Sequence, residues 1–361
     1  MPLNHYVTLG RSGLRVSPYC LGAMTFGEEW GFGSDEKTST AIIDRFLEAG
    51  GNFIDTANVY NRGHSEEILG NHIGRDAAKR DRVVIATKFS ANMHSGDPNG
   101  GGANRKSIIA ACEASLRRLK TDYIDLYWQH WEDPFTPVEE TMRALDDLVT
   151  AGKVRYLGFS DTPAWKVAQA QVTAHFRNWA PLIALQIEYS LLERTVEGDL
   201  IPMAREMGLG VTPWSPLRSG VLSGKYSRTN MKAESAGRSA WVERNFNEHA
   251  FAVLDVLMDV AKKRGTTPAR VALAWVGAKP GVSSIIIGAR TLEQLDDNLA
   301  ALDLQLERDD LSALDDISKP TLNFPAGFLP NAVSASYGGM TVNGRTFGTN
   351  PTAEMRRREA R

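Results

Sequence analysis

The chain has 361 residues, 42% of them hydrophobic and 23% charged, enough to bury a large core and far from disordered or fibrous compositions. Its 41 Lys and Arg are offset by 43 Asp and Glu, so it presents no basic field to grip a phosphate backbone, and nucleic acid is not an expected partner. Cys20 and Cys112 are too few for a disulfide framework and lack metal-ligand spacing, and no apolar run approaches the length of a membrane span, so a cytoplasmic protein without metal is expected.

In chain order, residues 8–16 (TLGRSGLRV) read as a hairpin around Arg11-Ser12-Gly13, followed by a short strand at 19–24. Helical periodicity over 37–49 stops at Gly50-Gly51 and gives way to a strand at 52–55. The alternation then recurs. Helices at 65–73, 105–119 and 138–150 precede strands at 83–88, 123–130 and 154–160, and helices at 164–175 and 199–207 flank a strand at 182–188. Strands at 209–214 and 284–288 complete eight short apolar runs at βα spacing, the pattern of a parallel sheet buried on both faces. Eight such units predict an α/β fold, a (β/α)8 TIM barrel; a doubly wound sheet would place GxGxxG after its first strand, where none occurs. Residues 1–319 are assigned to one barrel with its hairpin, and 320–361 to an irregular tail.

Barrel enzymes carry their chemistry where strands end, and three successive runs here end in Asp55, Lys88 and His130, with Tyr60 just beyond Asp55 in GNFIDTANVY. Each alone would be ordinary loop solvation. Together they make a proton-donating device: the Lys88 ammonium should lower the Tyr60 pKa, Asp55 should keep Lys88 charged and oriented, and His130 should donate to a substrate oxygen. None of the four can supply hydride. Candidate phosphate loops follow the last two strands, WSPLRSGVLSGKY (214–226) and GARTLEQLDDN, where Gly288 and Arg290 precede a helix N-terminus suited to an anion.

The chain resembles the aldo-keto reductase superfamily, in particular its longer bacterial members. The resemblance rests on LGRSGLRVSPYCLGAMTFG, GNFIDTANVYNRGHSEEILG, GKVRYLGFSD, QIEYSLLER, WSPLRSGVLSGKY and IIGARTLEQLDDNLAAL. It implies NADPH/NADP+ as cofactor, bound without a Rossmann domain, and Asp55, Tyr60, Lys88 and His130 as a catalytic tetrad with Tyr60 the general acid in reduction. Ser160 and Gln186 would hold the nicotinamide carboxamide and Trp214 would stack on the ring. Ser215, Leu217, Gly220 and Lys225 would bind pyrophosphate; Arg290, Gln294 and Asn298 would meet the 2′-phosphate and adenine. Two positions depart from the pattern. Asp161 replaces a common Asn, and an ionised carboxylate cannot donate to a carboxamide oxygen; Arg218 stands where smaller residues are usual and could contact phosphate or face solvent.

The expected activity is reduction of an aldehyde or ketone, with a pocket built from Trp30, Trp128, Trp131 and the tail, whose aromatic character fits a bulky apolar carbonyl compound. Phe324, Phe328, Leu329 and Tyr337 are expected to anchor the tail over the barrel mouth as a lid, leaving the charged end 351–361 dispensable. The alternatives are a nucleotide-binding regulatory or redox-sensing subunit of the same fold, and a lyase using Lys88 as a Schiff base. A monomer or weak homo-oligomer is expected.

Overall fold

The computed structural model describes residues 2–231 and 242–348; the charged end and part of the segment between the last two strands lie outside them. Strands β1 (Val7–Thr8) and β2 (Arg15–Val16) form the expected antiparallel hairpin. Then come β3 (Tyr19–Gly22), β4 (Phe53–Asp55), β5 (Val84–Phe89), β6 (Ile124–Gln129), β7 (Val154–Ser160), β8 (Leu182–Glu188), β9 (Gly210–Trp214) and β10 (Ile285–Gly288). These eight are parallel, in the spatial order β10-β3-β4-β5-β6-β7-β8-β9. The ring closes where Val211 of β9 pairs with Val282: the Val211 N–H donates to the Gly281 carbonyl (3.1 Å) and the Ser283 N–H to the Val211 carbonyl (2.8 Å). The fold is the expected (β/α)8 barrel. Among the described residues no helix is long and apolar enough to cross a membrane, and no cluster of metal-ligating side chains occurs.

Strand periodicity sorts the core into two layers. Leu21, Ile54, Ile85, Tyr127, Leu157, Leu185 and Ile287 point outward and pack under the helices. Cys20, Phe53, Val84, Ala86, Leu126, Trp128, Ala184 and Ile286 point inward and fill the barrel, with Leu9 and Val16 of the hairpin region packed among them. Continuing the inward series two residues toward the C-terminal ends leads from Phe53 to Asp55, Ala86 to Lys88, Trp128 to His130 and Ala184 to Gln186. A period of two thus carries each strand from apolar filling to polar chemistry at one mouth.

Helix starts follow local capping: the side chains of Asp35, Asn104 and Thr291 accept N–H bonds of the helices Glu36–Glu48, Arg105–Leu119 and Leu292–Ala300. The helix expected at 65–73 is instead His64–Leu69 followed by a π-helical turn, Gly70–Gly74.

The tail departs from expectation more. It forms a helix, Leu329–Tyr337, and a small hairpin, Thr341–Val342 with Arg345–Thr346. Its first turn lies against the loop after β8, where Ala326 and Leu322 approach Gly198. The anchors Phe324, Phe328, Leu329 and Tyr337 nevertheless stay exposed, Phe324 at 83%, so the burial expected of a closed lid is absent from this conformation. The aromatics pair locally instead: Phe324 with Phe328, and Tyr337 with the buried Phe347.

Candidate active site

Asp55 on β4 and Lys88 on β5 sit side by side because these strands pair in register, Asp55 opposite Ala86. Both are buried. Lys88 Nζ donates to Asp55 Oδ1, to the Thr56 carbonyl (2.8 Å) and to the Tyr60 hydroxyl (3.2 Å), while Gln186 Nε2 donates to Asp55 Oδ2 (3.0 Å). Every hydrogen of the ammonium therefore has an oxygen. Burial opposes the charge on Lys88, but Asp55 and Tyr60 outweigh it and raise its pKa. Lys88 is held protonated, which argues against the Schiff-base alternative, since that needs a free amine.

Tyr60 returns over the mouth through a turn in which Asn61 and Arg62 adopt left-handed φ values of 47° and 58°. Asn61, which the sequence reading passed over, holds that turn. Its Nδ2 donates to the carbonyls of Met24 (3.1 Å) and Phe26 (2.8 Å), and its Oδ1 accepts from the Trp30 N–H (3.2 Å). Tolerance of left-handed backbone was the signal available in NVYNRG. The Tyr60 ring then lies edge-on between Trp30 and His130, at 6.1 and 5.7 Å between centroids.

Burial raises the Tyr60 pKa, and the opposing effect of Lys88 does not cancel it. The lowering expected from Lys88 is present but outweighed: desolvation dominates, and Tyr60 rests as a neutral phenol able to donate. His130 is pushed down to about 2 by burial and by the Lys88 charge, so it is a neutral imidazole, and its Nδ1 is buried without a partner. The Ser160 Oγ is orphaned in the same way. Buried polar atoms are ordinarily hydrogen-bonded, so these two orphans mark where a polar ligand fits.

The three expected pocket tryptophans separate. Trp30 faces Tyr60, and the exposed Trp131 packs at a tilt against His130, 4.4 Å between ring centroids. Trp128 is corrected: it is fully buried on the inner face of the barrel, opposite Lys88 in the β5–β6 register, and a Cβ on Gly158 would stand 2.3 Å from its ring. It therefore exposes no surface at the mouth in this structure.

On the other side of the mouth, β9 delivers Trp214, whose indole N–H donates to Asp161 Oδ1 (3.0 Å). The following loop is a run of left-handed residues, Ser215, Arg218, Ser219 and Gly220 at φ of 53°, 48°, 55° and 93°. Ser215 Oγ accepts from the Ser219 N–H (3.1 Å), and Gly220 meets open space where a side chain would stand. The N–H groups of Arg218 and Gly220 are likewise taken up within the turn, by the carbonyls of Ser215 (2.8 Å) and Leu217 (2.9 Å). Leu217 packs against the outer core, so only its backbone can serve a ligand, and Lys225 lies exposed at the loop's end. Arg218 is drawn to Glu188 (2.5 Å) and Asn245 (2.8 Å), which settles its two readings in this conformation as an internal ion pair.

At the end of β10, Gly288 is open to solvent, and its carbonyl accepts from Asn298 Nδ2 (3.1 Å). Gln294 Oε1 accepts from the Arg290 N–H (2.9 Å), and Ser34 Oγ donates to the Arg290 carbonyl (3.2 Å). Gln294 and Asn298 are therefore engaged in shaping this loop. The Arg290 side chain forms no ion pair among the described residues and stands beside the N-terminus of Leu292–Ala300. The orphaned Ser160 and His130 atoms, the left-handed loop and Arg290 together fit an extended anionic ligand carrying an amide-bearing ring.

The chain is 41% identical over 321 residues to the uncharacterized oxidoreductase YrpG of Bacillus subtilis, covering 86% of this chain and 95% of the relative. It is 36% identical over 341 residues to norsolorinic acid reductase of Aspergillus flavus (92% and 86%), and 37% identical over 305 residues to a probable voltage-gated potassium channel subunit beta of Oryza sativa (83% and 91%). Residues 18–319, from the first barrel strand to the end of the last barrel helix, match the model of the Aldo/keto reductase family, and the chain belongs to that family.

Proposed function

We propose that the protein is an NADPH-dependent carbonyl reductase in which Tyr60 is the general acid, acting reversibly on an aldehyde or ketone. The observation that carries this reading is the Lys88 ammonium, bridging the Asp55 carboxylate and the Tyr60 hydroxyl (3.2 Å) at the barrel mouth. Ser160 and Gln186 would hold the nicotinamide carboxamide, with Trp214 against the ring; the loop 215–225 would take the pyrophosphate, and Arg290 the 2′-phosphate. When bound, the nicotinamide supplies hydride to the carbonyl carbon. Tyr60 passes its phenolic proton to the carbonyl oxygen, and Lys88 stabilises the phenolate left behind. Neutral His130 donates to the same oxygen and orients it, while Trp30 and Trp131 keep water from the reacting side.

The test is to follow NADPH absorbance against a panel of aromatic and aliphatic aldehydes and ketones, with 4-deuterated NADPH to locate the transferred hydrogen. Deuterium on the alcohol carbon is expected. Turnover of no member of the panel, with NADPH binding intact, would favour the second reading, a nucleotide-binding regulatory subunit, which the rice relative's name supports.

A further inference from the structure

Asp161 follows Ser160 at the end of β7 with a left-handed φ of 41°, a bend anchored by its own N–H donating to the Gln186 carbonyl (3.2 Å). Its Oδ1 accepts the indole N–H of Trp214 (3.0 Å). The carboxyl group lies among protein atoms yet remains open to solvent. A flat ring laid on the face of Trp214 would therefore have this carboxyl group at its edge. The ionisable groups facing it are Glu188 on β8, itself paired with Arg218 of the loop after β9, Lys88 on β5, and Tyr60 beyond β4. Burial pushes the Asp161 pKa up to about 6; the Trp214 N–H and Lys88 oppose this and Glu188 adds to it. His130 stays neutral throughout that range.

We propose that Asp161 reads the charge of the nicotinamide: its carboxylate beside Trp214 favours the oxidised, cationic ring over the reduced, neutral one and so sets the balance between NADP+ and NADPH at this site. The inference rests on the NADPH reading above. Protonated, Asp161 loses that preference and gains an O–H donor for the carboxamide oxygen.

The test is calorimetric binding of NADP+ and of NADPH to the full-length protein and to Asp161→Asn, between about pH 5 and pH 8. The 2′-phosphate also titrates in this range, but it is common to both nucleotides and cancels in their affinity ratio. In the native protein the ratio should shift about tenfold toward NADP+ as pH rises and the carboxylate ionises; in Asp161→Asn it should be flat. Equal ratios and equal pH dependence in the two proteins would overturn the proposal. So would an equal loss of both nucleotides in the variant, which would reduce Asp161 to an anchor for Trp214. Failure of the native protein to bind either nucleotide would instead overturn the NADPH reading itself.

Discussion

The two sides of the barrel mouth are built by different means. On the β4–β6 side the prearranged groups are mainly side chains on or next to paired strands, bonded to one another: Lys88 to Asp55 and Tyr60, with the Thr56 carbonyl as its third acceptor. On the β9–β10 side the prearranged element is backbone: a loop of left-handed residues and a helix N-terminus, with side chains such as Arg218, Gln294 and Asn298 engaged in shaping the loops. The first arrangement suits chemistry, which depends on fixed distances between a few atoms. The second suits a long flexible anion, met by a shaped loop and by the Arg290 guanidinium, which has no ion-pair partner among the described residues.

Five changes would break or sharpen this contrast. Tyr60→Phe should lower kcat by about 10²- to 10⁴-fold, the range of general acid catalysis, and leave NADPH affinity unchanged, because the strand-borne side would lose its proton donor without touching the loops. Comparison of single-turnover reduction rates with NADPH titration checks both halves. Wild-type reduction by this variant would remove Tyr60 from the mechanism.

Lys88→Met should also slow turnover and shift the pH profile. Burial already raises the Tyr60 pKa and Lys88 opposes it, so deleting the ammonium should raise the value further. Reduction needs the phenol and is lost as pH rises through that pKa; the falling limb should therefore move to higher pH in the variant. Oxidation needs the phenolate, so its rising limb should move the same way. A folded, active variant with an unmoved profile would argue against the coupling.

Arg290→Ala tests the loop-borne side. A charge-assisted contact is worth about 1.5–3 kcal/mol, so NADPH should weaken by about one to two decades while NADH barely changes. Equal losses would show that Arg290 does not read the 2′-phosphate.

Gly158→Ala tests what supports the strand-borne side. Its Cβ would stand 2.3 Å from the buried Trp128 ring, and overpacking of this kind costs about 1–3 kcal/mol. Denaturant titration should show that loss, and kcat should fall more than nucleotide affinity because Trp128 lies opposite Lys88 in the β5–β6 register.

The smallest effect belongs to the tail. Ending the chain at Leu322 removes anchors that are mostly exposed, so stability should change by less than about 1 kcal/mol and NADPH affinity not at all. A raised KM confined to bulky carbonyl substrates would revive the lid as a state formed with substrate present.

The eight strands and the polar strand ends were legible in the sequence because a parallel barrel strand is apolar on both faces until it reaches the mouth. Asp55, Lys88 and His130 therefore interrupt their runs where a reader can see them. The left-handed loop after β9 was legible only as a stretch rich in Ser and Gly. The full burial of Trp128 was not legible: the period of two points it inward with His130, but only the tertiary structure shows its ring packed over Gly158 of β7 and shut off from the mouth. The tail was misjudged by counting its aromatics as anchors, when Phe324 pairs with Phe328 and Tyr337 with Phe347.

By itself, then, the sequence determined the barrel, its strand order and the residue types at its mouth, because these follow from periodicity and local propensity along the chain. Only the tertiary structure decided that Tyr60 is net raised in pKa, that Arg218 turns to Glu188, and that Asp161 takes the indole N–H of Trp214. Each of these depends on burial or on partners from different segments, and those are set by how the closed ring curves.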